Sequence, residues 1–181
     1  MKYLYIAAVV FLACGVQKDR DVVTEKADVP HMNIAVKDYG TIVIELLPEA
    51  APNNVKNIIE LSDKGFYNNL IFHRVIKGFV IQGGCPNGNG TGDPGYEIED
   101  EISPKGKHLK GTVAMANRGP NTNGSQFYIC LEPQPRLDGR YTIFGRVVQG
   151  MDVVDRIGEV RTGQYDKPLV DVVMERVWIE K

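Results

Sequence analysis

A chain of 181 residues has the length of one domain and can bury a core without metal or disulfide cross-links. Its 21 Lys and Arg against 23 Asp and Glu leave a net charge of −2, so the basic field that dominates nucleic-acid binding is missing and nucleic acid is not expected as a partner. Cys14, Cys85 and Cys130 are too few for a disulfide scaffold, and His31, His73 and His108 have no acidic or cysteine neighbours at ligand spacing, so no metal is expected.

In chain order, Met1-Lys2 supplies a short positive start, and an almost unbroken apolar run from Tyr3 to Ala13 stops at Cys14 before polar residues. The run is too short to span a bilayer comfortably. Phe11-Leu12-Ala13-Cys14 resembles a bacterial lipoprotein signal, with Phe11 where Leu is usual. That resemblance implies cleavage before Cys14 and lipidation of the new N-terminal cysteine. An ordinary secretory signal or a short membrane anchor is the alternative, and on either reading the chain leaves the cytoplasm. Residues 15–32 mix Lys, Asp, Arg, Glu and Pro without periodicity and read as a solvated tether. The expected organisation is a signal peptide over 1–13, a lipidated cysteine and tether over 14–32, and a folded domain over 33–181, held at a bacterial membrane in the cell envelope.

Within the domain, Asn33 to Val36 and Thr41 to Leu47 are β-rich and joined by Lys37-Asp38-Tyr39-Gly40, which predicts a hairpin. Pro48 to Gly65 carries Ala50, Val55, Ile58, Ile59 and Leu61 at near-helical spacing and predicts an amphipathic helix whose apolar stripe plugs a sheet or barrel. Strands are expected at 71–76, 79–82, 112–116, 127–131 and 141–148, a short helix from Gly150 to Ile157, and a last strand over 170–179. Gly83 to Gly95 reads as a long loop. The sum is a mostly β fold of about eight strands and two helices. A closed barrel solves the edge-strand problem for such a list, although pattern alone also allows a sandwich.

Several chemistries fit poorly. The glycine-rich stretches lack the Lys-Ser/Thr ending and strand-to-helix setting of a phosphate loop. Asn89-Gly90-Thr91 and Asn123-Gly124-Ser125 match a glycosylation pattern that a bacterial signal makes incidental. A Cys85 nucleophile with His73 as base lacks an orienting third residue. Pairing of Cys85 with Cys130 stays open, because sequence does not place their Cα atoms.

Two runs carry more. Phe72-His73-Arg74 is followed by Phe79, Val80 and Gln82, which sets one fixed cation among apolar residues. Met115-Ala116-Asn117-Arg118-Gly119-Pro120-Asn121-Thr122-Asn123-Gly124-Ser125-Gln126-Phe127-Tyr128 supplies amides and aromatics suited to gripping an extended peptide. Together they resemble the cyclophilin family of peptidyl-prolyl isomerases, from about Asn33 to the C-terminus. The resemblance selects a closed eight-stranded antiparallel barrel capped by two α-helices, with no cofactor and a monomer by default. It implies that Arg74 is the catalytic arginine and that Phe79, Val80, Met115, Tyr128 and Leu137 wall a proline pocket. Gln82 and Asn117 would hold the substrate backbone, Ala116 and Gln126 match groove positions, Tyr141 sits at the rim, and His73 supports the groove. Expected partners are proline-containing segments of unfolded or exported proteins. The competing reading is a catalytically idle binding module with the same groove.

The chain departs from the family pattern at the site. Arg136 replaces the tryptophan of cyclosporin-sensitive members, so weak drug binding is expected. Tyr141 stands for a histidine, Val80 for a methionine and Tyr128 for a phenylalanine. None of these removes Arg74.

Overall fold

The computed structural model describes residues 29–181; Cys14, the expected signal and most of the tether lie outside the described residues. The described residues form nine strands, β1 (His31–Val36), β2 (Gly40–Leu46), β3 (Leu70–Ile71), β4 (Arg74–Ile76), β5 (Val80–Gly83), β6 (Thr112–Met115), β7 (Phe127–Cys130), β8 (Ile143–Gln149) and β9 (Val173–Glu180), with helices α1 (Pro52–Asp63) and α2 (Met151–Gly158). All pairings are antiparallel, in the order β3-β9-β1-β2-β8-β6-β7-β5-β4.

The sheet curls on itself, and its first and last strands are neighbours in sequence. β3 bonds to β9 and β4 to β5, with only Phe72 and His73 between them. The single strand expected at 71–76 is therefore divided, and the ring is completed by covalent chain rather than by a ladder. That division is why nine strands are found where eight were expected.

Alternation places one face of each strand inside. Met32, Ile34 and Val36 of β1, Ile42, Ile44 and Leu46 of β2, Val113 and Met115 of β6, Phe127 and Ile129 of β7 and Met174 and Val177 of β9 share one core. α1 adds Val55, Ile58 and Leu61 and packs on β9; α2 adds Val153, Val154 and Ile157 and packs on β2, β4 and β5. The apolar stripes of both helices thus close the interior to water. Pro52 fits the first turn of α1, where a missing N–H costs nothing, and residues 48–51 form a turn on the Leu47 carbonyl rather than the helix start expected there.

The domain begins earlier than the expected Asn33. Met32 is fully buried opposite Ile44 and Ile179, so the hydrophobic pattern draws His31 and Met32 into β1. At the other end, β9 starts at Val173, because Leu169 and Val170 lie exposed ahead of it.

Phe127 sits at the centre of the core. Its ring meets Tyr67, Phe72 and Phe144 edge to face at centroid distances of 5.9, 6.3 and 6.4 Å. Phe127→Ala is expected to lower unfolding free energy by about 3–5 kcal/mol through lost transfer energy and a residual cavity; the urea midpoint with an unchanged slope is the measurement.

Candidate active site

β6 and β7 are buried at all four positions each, so both faces of this part of the sheet are covered. The inward face meets the main core. On the outward face Val80, Ala114, Tyr128 and Cys130 form a second, smaller cluster with Phe79, Ala116, Leu137, Tyr141 and Ile143. Its cover is the segment 134–142. Gln134 anchors that segment, donating from its side chain to Gly78 O at 2.9 Å and from its main chain to His108 O at 2.7 Å.

The cover is incomplete. A cavity of about 150 Å³ opens on this face, lined by Arg74, Phe79, Val80, Gln82, Ala116, Asn117, Tyr128, Leu137 and Tyr141. Ten of the eleven residues expected to wall or grip a substrate or act on it therefore meet there or, for Gln126, one hydrogen bond away. Met115 does not: it faces the main core and is fully buried, because pleating sends Ala114 and Ala116 outward and Met115 inward. Its expected place in the pocket wall is corrected on that ground.

A line of hydrogen bonds sets the polar edge. Gln126 Nε2 donates to the carbonyls of Gly90 and Gly92 at 2.9 and 2.8 Å. This fixes its amide, so Gln126 Oε1 accepts from Gln82 Nε2 at 3.1 Å. Gln82 Oε1 is left to face Arg74 Nη1 at 3.4 Å. On its other side Arg74 Nε meets Asp166 Oδ2, also at 3.4 Å. The guanidinium is thus held at two nitrogens at the pocket edge. Asp166 is a functional residue that sequence reading missed, since it lies 92 positions from Arg74 in a turn with no periodic signal. Tyr165 and Asp166 both take left-handed backbone, at φ 60° and 58°, a conformation that costs a non-glycine residue of order 1 kcal/mol.

Ala116 and Asn117 border the cavity where β6 ends. The Asn117 side-chain Nδ2 already donates to Asp100 Oδ1 and Asn123 Oδ1 at 3.3 and 3.2 Å, so Asn117 offers a ligand its main chain and its side-chain oxygen rather than its amide donor. A second cavity of about 80 Å³ shares Gln82, Ala116 and Asn117 and extends toward Asp93, Glu97 and Arg118. Gly84, at φ +82°, passes so close to Ser125 that an added Cβ would lie 2.3 Å from the Ser125 carbonyl oxygen.

Under the proline-sized pocket, the Tyr128 hydroxyl lies 2.9 Å from His108 Nε2, and His108 Nδ1 lies 3.1 Å from Asp138 Oδ1. Asp138 accepts the Nδ1 proton, so Nε2 is the acceptor and Tyr128 the donor. The extra hydroxyl of Tyr128 is therefore satisfied below the pocket rather than presented in it. The main-chain N–H of His108 and then the Lys107 ammonium hold the Asp138 carboxyl at about 2.

His73 is placed behind Arg74, not in the pocket. It is buried, neither ring nitrogen has a partner among the described residues, and burial, then the Arg74 and Lys167 charges, pull its pKa to about 4. It is neutral at neutral pH. Cys85 and Cys130 are both buried free thiols, which closes the question of their pairing. Among the described residues no His, Cys, Asp and Glu grouping fits a metal, and no helix is long and apolar enough to cross a membrane.

The lowered histidine gives a pH dependence of stability. The unfolded chain binds a proton at His73 near 6.5 while the folded chain resists until about 4, so the stabilisation is complete above 6.5 and is lost as pH falls through 6.5 to 4. His108, lowered mainly by burial, adds in the same direction. Urea unfolding between pH 7 and 4 is expected to show a loss on the order of 2–3 kcal/mol from His73, with a shallower slope in His73→Leu.

Comparison with known proteins places this geometry. Residues 31–179 match the family model described as cyclophilin type peptidyl-prolyl cis-trans isomerase/CLD. A peptidyl-prolyl cis-trans isomerase of Arabidopsis thaliana is 48% identical over 141 residues, covering 76% of this chain and 86% of the relative. A peptidyl-prolyl cis-trans isomerase-like 1 of Neurospora crassa is 51% identical over 137 residues, covering 74% and 84%. The crystal structure of a Cryptosporidium parvum cyclophilin type isomerase superposes with a TM-score of 0.81 at 36% identity, over 84% of this chain and 98% of that one; a second, in the presence of the dipeptide Ala-Pro, gives 0.79. By sequence over nearly the whole described domain and by fold, the chain belongs to the cyclophilin type peptidyl-prolyl cis-trans isomerases.

Proposed function

We propose that this isomerase acts on proline-containing segments of unfolded or exported proteins in the bacterial cell envelope, with Arg74 stabilising the twisted X–Pro amide. The observation that carries the reading is the Arg74 guanidinium, held by Gln82 and Asp166, at the edge of a proline-sized cavity walled in part by Phe79, Val80, Tyr128 and Leu137. Twisting the peptide bond removes amide resonance, and the prolyl nitrogen regains a lone pair as it becomes pyramidal. A donor aimed there favours the twisted state over either planar state, which lowers the barrier rather than merely tightening binding. No bond is broken, so no nucleophile or cofactor is required. An acceleration of about 10⁵ corresponds to roughly 7 kcal/mol, divided between this donor and positioning.

Phe79, Val80, Tyr128, Leu137 and Tyr141 take the proline ring, while Gln82 and the main chain at Ala116 and Asn117 hold the flanking peptide. Gln126 acts through Gln82. The Ala-Pro complex of the Cryptosporidium parvum protein supports a proline dipeptide as the minimal occupant. Arg136 in place of a tryptophan supports weak cyclosporin binding.

The envelope location rests on the N-terminal pattern alone, Met1-Lys2, the apolar run to Ala13, and Cys14. The two relatives and the Cryptosporidium parvum structure are eukaryotic, so they do not speak to it. A lipidated Cys14 would hold the domain, as a monomer, on a tether short of His31 and within reach of chains emerging unfolded, where slow proline steps limit maturation.

Removing one preorganised donor typically costs 10²- to 10³-fold, so Arg74→Ala is expected to lose about that factor in kcat/KM on an Ala-Pro peptide with KM little changed. Peptide binding without acceleration by the wild type would favour an idle binding module instead. In the full chain, expressed in a bacterium fed a fatty-acid probe, Cys14 is expected to take up label and fractionate with membranes, and Cys14→Ser to do neither; an unlabelled wild type would remove the lipoprotein reading.

A further inference from the structure

The pocket mouth carries a second cation that the isomerase reading leaves unused. Arg136 projects from the short helical turn Pro135–Leu137 and lies over the Phe79 ring, its guanidinium carbon 4.4 Å from the ring centroid. Phe79 and Leu137 both line the pocket, so the charge rests on a residue of the pocket wall. The turn that carries it is anchored: Gln134 pins it to Gly78 and His108, and Leu137 N–H closes it on Gln134 O.

The local charge is one-sided. Arg74, Arg118, Arg146 and Arg156 each face a carboxylate within 4 Å, whereas Arg136 forms no ion pair among the described residues. No carboxylate lines the pocket. Asp166 is occupied with Arg74 and Asp138 with His108 and Lys107. Glu132, four residues before Arg136, lines a different cavity with Lys110 and Lys77. Arg140, exposed on the same segment and also without an ion pair among the described residues, adds to the field. The side of the groove that carries Arg136 and Arg140 therefore presents uncompensated positive charge, while on the opposite side Asp93 and Glu97 face Arg118.

Stacking on an aromatic face leaves the edge of a guanidinium, with its N–H donors, free for a carboxylate in plane. From this we infer that Arg136 is a specificity-determining residue that selects proline segments carrying an acidic side chain next to the proline. The inference rests on the isomerase reading, whose groove it subdivides by charge. An exposed pair of this kind is worth a modest factor, screened by salt.

The test is kcat/KM for peptides with Glu, Ala or Lys immediately before or immediately after one proline, using the wild-type domain, Arg136→Gln and Arg136→Glu. Wild type is expected to favour Glu over Lys by about three- to tenfold at one of the two positions, with the ratio falling as salt rises from 20 to about 500 mM. Arg136→Gln is expected to bring the ratio near one, and Arg136→Glu to invert it. A wild-type ratio near one at both positions, or a Glu preference that survives in both variants, overturns the inference while the isomerase reading stands. Failure of the wild type to accelerate any of the peptides would overturn the isomerase reading and this inference with it.

Discussion

The orientation of one amide, that of Gln126, governs the working face of the molecule. Because its nitrogen is claimed by two loop carbonyls, its oxygen must accept from Gln82, and Gln82 must then turn its own oxygen to Arg74. Each amide has two inequivalent ends, so the line has a direction: donation runs from the arginine through Gln82 and Gln126 to the loop carbonyls, and an acceptor is left facing the guanidinium. Were Gln126 reversed, Gln82 would present N–H groups to a guanidinium that has only donors. The cation is held at the pocket edge because this line, with Asp166 on the opposite side, takes up Nε and one Nη1 donor and leaves the remaining N–H groups for a ligand.

That arrangement depends on a sheet covered on both faces. A barrel strand usually turns one face to water; β6 and β7 do not, because the 134–142 segment lies over them and makes a small second core. The pocket is the part of that core left unfilled. Its walls are consequently rigid for the same reason any core is rigid, close packing on a hydrogen-bonded backbone, and no mobile lid has to be invoked to order them. Tyr128 illustrates the economy of the design: its ring serves the outer core and the pocket, and its hydroxyl is spent on His108, whose second nitrogen is fixed by Asp138.

The loop between β5 and β6 is long because it has two structural duties at once. Its first part supplies the Gly90 and Gly92 carbonyls that orient Gln126, and its later part reaches α1, where Glu101 accepts from the main-chain N–H groups of Asn53 and Asn54 and so satisfies donors that a helix start leaves unpaired. Asn54 in turn accepts from Asn123, which also donates to Thr142. The helix, the loop and both sides of the groove are thereby joined through buried amides rather than through apolar contact, which gives the groove a specified shape at a point where the main core does not reach.

The order of strands and helices, the hairpin of β1 and β2, the amphipathic faces of α1 and α2, and the two motifs carrying Arg74, Phe79, Gln82, Ala116, Asn117, Gln126 and Tyr128 were legible in the amino-acid sequence, because each depends on residues near one another in the chain. Met115 was misassigned for a reason equally local: adjacency in a motif was taken for adjacency in space, although pleating puts neighbours on opposite faces. The break at Phe72–His73, which lets one stretch of chain end two ladders, depends on where β9 and β5 lie and has no local signature. The same holds for Asp166 on Arg74, His108 under Tyr128, and Arg136 over Phe79. Those contacts join segments tens of residues apart, and only the closing of the barrel, which sets side chains from separate strands and loops at bonding distance, decides them.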